Sequence, residues 1–233
     1  MELARKLSEG VGSWLQYQHA CHRSGLFSER YLAEPIGQIL SAHTRARVNA
    51  EYHHPVLAPL ATGPGAKPSV DFVVLEPYPK VSVAVESKWI GQTKPSVQSI
   101  MWDLIRLELI AHTEGAECFF VLGGMRRSLD AYFKQKIFTG PKLPHNPILH
   151  TKTNDKFQVN LSPTAAYRVA MMKKIFAKYQ STAFPHRVIA RRTDPFPVDC
   201  KANQYQIYVW HITSKVKRDI FYPKNSTHYV DIA

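Results

Sequence analysis

Two apolar runs joined by a short proline-rich link constrain this chain more than any other feature. Residues 69–75 read Ser-Val-Asp-Phe-Val-Val-Leu, residues 81–89 read Val-Ser-Val-Ala-Val-Glu-Ser-Lys-Trp, and Glu76-Pro77-Tyr78-Pro79-Lys80 lies between them. Both runs are rich in β-branched residues, and the link has the length of a hairpin connection. Side chains alternate along a strand, so Glu86 and Lys88 project from one face. Fourteen residues separate Asp71 from Glu86, and a hairpin brings Asp71 beside Glu86 at one edge of the sheet. Two carboxylates and an ammonium then converge at the end of two otherwise apolar strands.

The flanking elements follow from period and capping. Residues 1–22 carry Leu3, Leu7, Val11, Trp14 and Leu15 at helical spacing. Ser28 is positioned to cap a second helix, which Pro35 must kink or restart. Residues 51–60 read as a strand. Ser96 opens an amphipathic helix to about His112, and residues 117–122 (ECFFVL) form a buried strand that Gly123-Gly124 should end. Residues 129–138 and a stretch capped by Ser162-Pro163 up to Tyr179 read as helices, residues 139–154 as a long loop, and residues 187–192 and 204–212 as strands. The expected architecture is α/β, a mixed sheet flanked by helices. It divides into an N-terminal helix (1–27), a core (28–124) and a basic α+β extension packed on that core (125–233).

A carboxylate pair at a strand end suits a hard divalent cation. Mg²⁺ prefers carboxylate oxygens, keeps several waters and accepts phosphate oxygens. Asp71, Glu86 and the Ser87 backbone carbonyl are its candidate ligands. Lys88 is placed to orient an attacking water and to neutralise charge developing on a phosphate.

These residues resemble the PD-(D/E)xK nuclease superfamily, with Pro68-Ser69-Val70-Asp71 as the first half-motif and Glu86-Ser87-Lys88 as the second. The likeness spans about residues 28–124. It implies a restriction-endonuclease-like core and divalent-metal-dependent hydrolysis of DNA phosphodiesters that leaves a 5′-phosphate. Bacterial defence or DNA processing is the implied setting. The superfamily often carries a Glu on the helix before the core, and Glu34 precedes Asp71 by 37 residues. That makes Glu34 a further catalytic and metal-ligand candidate. One branch carries a Gln, three residues and an aromatic on the helix after the core, which Gln98 and Trp102 match. Gln98, Trp102 and Arg106 recur every four residues and share one side of that helix.

The charge is unevenly spread. Of 30 Lys and Arg against 18 Asp and Glu, residues 126–192 hold 14 basic residues and only Asp130 and Asp155 as acids. That stretch carries the whole net charge of +12 and points to a polyanion, nucleic acid above all. Arg126, Arg127, Lys173, Lys174, Arg191 and Arg192 are the candidate phosphate contacts. Tyr132, Phe133, Tyr167, Phe176 and Tyr179 are interleaved with the basic residues, an arrangement suited to base stacking or equally to core packing. His43, His53 and His54 are possible Mn²⁺ ligands, with packing roles the plainer reading, and Cys118 reads as a small buried hydrophobe. No apolar run reaches the roughly 18–20 residues of a membrane span. Three scattered cysteines offer no disulfide framework, so a cytoplasmic setting is expected. Two rival readings share these residues: a non-catalytic nucleic-acid-binding subunit on the same fold, and an RNA-directed endonuclease. A homodimer or a specificity-giving protein partner is compatible with each.

Overall fold

The computed structural model describes residues 2–61, 67–135, 149, 156–161, 166–213, 220–226 and 229. Its elements in chain order are α1 (Glu2–Ala20), α2 (Ala33–Thr44), β1 (Val48–Tyr52), β2 (Val70–Leu75), β3 (Val81–Ile90), α3 (Val97–Glu114), β4 (Glu117–Met125) and α4 (Arg126–Phe133). There follow β5 (Lys156–Asn160), α5 (Ala166–Phe176), β6 (Phe184–Pro185), β7 (Arg187–Arg192), β8 (Tyr205–Ile212) and β9 (Ile220–Phe221). Seven strands form one mixed sheet in the order β1-β2-β3-β4-β8-β7-β5. Only β3 and β4 run parallel, with α3 as their crossover; every other neighbouring pair in that sheet is antiparallel.

Alternation along β3 sends Ala84 and Ile90 to one face and Val83, Val85 and Trp89 to the other. The first face packs on α3 through Ile100, Met101, Leu104 and Ile105; the second is covered by α1 and α2. In α1, Leu3, Leu7, Val11 and Leu15 recur every four residues and are fully or almost fully buried. Each such side chain contributes about 1.5–3 kcal/mol. The α/β sandwich expected from the pattern is therefore present, and strands from both halves of the chain join one sheet. β8 pairs with β4 along its length, from Cys118↔Ile212 to Met125↔Tyr205, and α1 lies against β8.

Local expectations fail in two informative places. Residues 51–60 do not form one strand: β1 ends at Tyr52, and Pro55–Leu60 is a 3₁₀ turn. Pro55 and Pro59 lack the N–H a ladder needs, and the His54 ring accepts from the Val56 N–H at 3.1 Å to cap the turn. β4 does not stop at Gly123-Gly124 but runs through them, paired with β3 on one side and β8 on the other. A Cβ at Gly123 would sit 2.7 Å from Ile207 and 2.8 Å from Trp89, so glycine is what lets these neighbours close over the strand. Pro35 falls in the first turn of α2, where its missing N–H costs nothing. The expected loop at 139–154 falls almost wholly outside the described residues. So do the Ser162-Pro163 cap and the end of the expected 129–138 helix.

Candidate active site

The antiparallel pairing of β2 and β3 sets the start of β2 against the end of β3. Phe72 is opposite Val85, and Asp71 lies one residue further toward Glu86. Asp71 accepts two hydrogen bonds on Oδ2, from the Ser87 N–H (2.7 Å) and the Ser87 hydroxyl (2.8 Å). Its Oδ1 carries none among the described residues. Glu86 is 0 % exposed and accepts on Oε1 from Arg106 Nε at 2.9 Å. Its Oε2 has no hydrogen bond among the described residues, although it is fully enclosed. Each carboxylate thus has one oxygen fixed by the protein and one left over.

Lys88 is held on three sides. Its Nζ donates to Glu29 Oε1 at 2.8 Å and to the Ser87 carbonyl at 3.1 Å, and lies 3.4 Å from Asp103 Oδ2. Asp103, 2 % exposed, also accepts from Arg106 through Oδ1. One buried carboxylate therefore links the two cations. The cluster sets Asp71, Glu86, Asp103 and Glu29 against Lys88 and Arg106.

Burial is the main force on the protons here. It pushes the Glu86 carboxyl well above the usual range; nearby Asp103 and Asp71 add to this, while Arg106 and Lys88 oppose it. Burial also raises Asp103 to about 6 against the pull of Lys88 and Arg106. For Lys88, burial works against the charge, but Asp103, Glu29 and Asp71 outweigh it and hold the ammonium above its ordinary value. These neighbours favour the charged form of Lys88.

Two clefts meet at Lys88 and Ser99. One, of about 550 Å³, lies beside α3 and is lined by Lys67, Gln98, Trp102, Asp103 and Arg106 among others. The other, of about 980 Å³, is bordered by Phe27, Glu29, Trp89, Arg127 and Tyr205. Gln98 and Trp102 both reach the first cleft, and Trp102 also packs edge-on against Tyr179 at 4.9 Å. Glu34 does not join the cluster: it is exposed on α2 and accepts from Gln38 at 2.6 Å. The carboxylates beside Lys88 are Glu29 and Asp103 instead.

The remaining candidates are dispersed. His43 bonds Lys6, His53 bonds the Pro68 carbonyl, and His54 sits 3.3 Å from Glu114. Cys118 is buried, and burial raises its thiol strongly. Arg126 is tied to Asp130 and Gln206, whereas Arg127 lines the larger cleft. Lys173 is half-buried, and Lys174 and Arg191 are exposed. Arg192 is 4 % exposed with its guanidinium 5.0 Å above the Tyr208 ring. That position turns it away from the expected phosphate role. Lys136, Lys142 and Lys152 lie outside the described residues.

Sequence reasoning passed over Glu29 and Asp103. Asp103 does leave a signal, a carboxylate set among Ile100, Met101, Leu104 and Ile105 on an apolar helix. Glu29 leaves none, because the segment around it has no period.

Among the described residues, no three His, Cys, Asp or Glu side chains are arranged to hold a metal ion, and no helix is long and apolar enough to cross a membrane. The chemistry of the donors, carboxylate and carbonyl oxygens, is the kind a hard divalent cation takes. The set offers two carboxylates with an unused oxygen each and an adjacent backbone carbonyl, in a cluster with two more acids than bases. Comparison with protein-family models, with curated proteins and with solved structures gives no match.

Proposed function

We propose that this protein is a divalent-metal-dependent nuclease with a restriction-endonuclease-like core, hydrolysing phosphodiesters of DNA. The observation that carries the reading is the fully buried Oε2 of Glu86, without a hydrogen bond among the described residues, in one charged cluster with Asp71 and with Lys88, which itself lines the cleft beside α3. An enclosed carboxylate oxygen with no partner is costly to keep, and a ligand that supplies a cation repays it. The order helix, three strands, helix, strand, with Asp71 on the second strand and Glu86-Ser87-Lys88 on the third, supports the same reading.

Asp71, Glu86 and the Ser87 carbonyl would hold Mg²⁺, or Mn²⁺ in its place. When bound, the ion supplies Lewis-acid stabilisation of charge on the phosphate, worth several kcal/mol. The chain's own residues do the rest. Ser87 fixes the Asp71 carboxylate, and Arg106 fixes that of Glu86, so neither must reorganise as charge builds up. Lys88, whose charged form its carboxylate neighbours favour, offsets negative charge on the phosphate oxygens. Water adds to phosphorus and the bond to the 3′ oxygen breaks. The water's proton passes to solvent, the leaving oxygen takes one from solvent, and the 5′-phosphate stays on one product.

The test is an assay of DNA and RNA, each with Mg²⁺, with Mn²⁺ and with chelator. Cleavage of DNA that needs the ion and is lost in Asp71→Ala supports the reading. Cleavage of RNA alone would move the substrate class, and binding without cleavage under every condition would replace the nuclease by a binding module.

A further inference from the structure

We propose that the cleft beside α3 is a phosphate-binding site in which Arg106 takes a non-bridging oxygen of the reacting phosphate. The inference rests on the hydrolase reading above but concerns a residue which that reading uses only as a support for Glu86.

The guanidinium of Arg106 is a planar fork with five donors. Nε is committed to Glu86 and Nη2 to Asp103, which fixes the plane of the fork. Nη1 makes no hydrogen bond among the described residues, and the side chain remains 21 % exposed. Arg106 lines the cleft of about 550 Å³ together with Lys67 and Lys88, and Ser96, Ser99 and Gln98 add neutral donors. Against three cations and three neutral donors, Asp103 is the single carboxylate on that wall among the described residues. Such a surface is built to receive acceptor oxygens, and a tetrahedral phosphate offers several.

Position ties the site to the chemistry. Arg106 and Lys88 are bridged by the two oxygens of Asp103, so both cations lie within reach of one phosphate group. The bridge also resists their mutual repulsion and holds them ready before substrate arrives. A guanidinium pinned along one edge loses little further freedom on binding an oxyanion, which is how such a contact acts on the transition state. A lysine at this position would keep the charge but not the fork.

Arg106→Lys separates these roles, because an ammonium still neutralises Glu86 and Asp103. Its melting temperature should stay close to wild type, while kcat falls about 100-fold and KM changes less than about twofold. Pyrophosphate titrated calorimetrically in chelator should bind the wild type and bind Arg106→Lys about tenfold more weakly. Wild-type cleavage by Arg106→Lys, or a loss confined to KM, would overturn the assignment to the reacting phosphate. If the variant does not fold, the wild-type titration decides, and absence of pyrophosphate binding overturns the site. Arg106-dependent pyrophosphate binding in a protein that cleaves no nucleic acid would support the anion site and sink the hydrolase reading alone.

Discussion

Lys88 Nζ and Glu29 Oε1 lie 2.8 Å apart, joining the end of β3 to a segment 59 residues earlier in the chain. Glu29 is 44 % exposed on its side chain, so the pair adds at most about 1 kcal/mol to stability. Its effect falls on where the Lys88 ammonium points. Glu29→Gln should lower cleavage about tenfold with little change in melting temperature, whereas Glu34→Gln should do neither. Equal rates in the two variants would remove Glu29 from the site.

Arg106 is the counter-ion of two buried carboxylates, and removing it leaves both uncompensated. Arg106→Ala should cost about 3–5 kcal/mol in a denaturant titration. Arg106→Ala combined with Glu86→Gln should recover a substantial part of that loss. Additive losses would mean the two side chains do not act on each other.

The Asp103 carboxyl is pushed up from 3.8 to about 6 by burial, against Lys88 and Arg106. The unfolded carboxyl loses its proton first, so the folded state binds more protons between those values. The contribution of Asp103 to stability should therefore fall as pH rises from about 4 to about 6 and level off above, while Glu86, raised well above its usual range, extends the decline to higher pH. Asp103→Asn should flatten that slope. Denaturation midpoints measured across this window check it, and an unchanged slope in the variant would contradict the assignment.

A cation that binds only the folded state stabilises it. Mg²⁺ or Mn²⁺ at about a hundred times its dissociation constant is worth about 2.7 kcal/mol. In a chain of this size each kcal/mol shifts the melting temperature by about 2–4 °C. Wild type should show such a rise, and Asp71→Ala and Glu86→Ala should not. A rise of equal size in all three would place the ion elsewhere.

The basic residues fall into two kinds. Lys174 and Arg191 are exposed, and replacing them with alanine should weaken DNA binding irrespective of sequence. If each contacts a phosphate, the log–log salt slope should fall by about one per residue. Arg192 is buried over Tyr208, so Arg192→Ala should lower the melting temperature more than the affinity. The reverse pattern would return Arg192 to the nucleic-acid surface.

The β2–β3 pair was legible because its information is local: alternation, apolar run and a short link decide which side chains share a face. The same holds for α3, where Ser96 accepts from the Ser99 N–H as a cap should. Residues brought together by packing were not legible. Glu29 reaches Lys88 only because the chain before α2 folds back over the sheet, and Asp103 meets Lys88 only because α3 crosses it. Gly123-Gly124 read as a stop because the sequence does not reveal that Trp89 and Ile207 close over them. Arg192 read as a surface charge because nothing local announces the Tyr208 ring beneath it.

Lys88 offers the most direct measurement, since it touches the site without belonging to the carboxylate pair. Single-turnover cleavage of DNA in Mg²⁺ should be compared between wild type and Lys88→Met, whose apolar stem preserves packing along the strand. A fixed cation that stabilises transition-state charge is worth about 10²–10³ in rate, so the variant should fall by that factor while still folding and binding DNA. A Lys88→Met protein that cleaves at the wild-type rate would contradict the account.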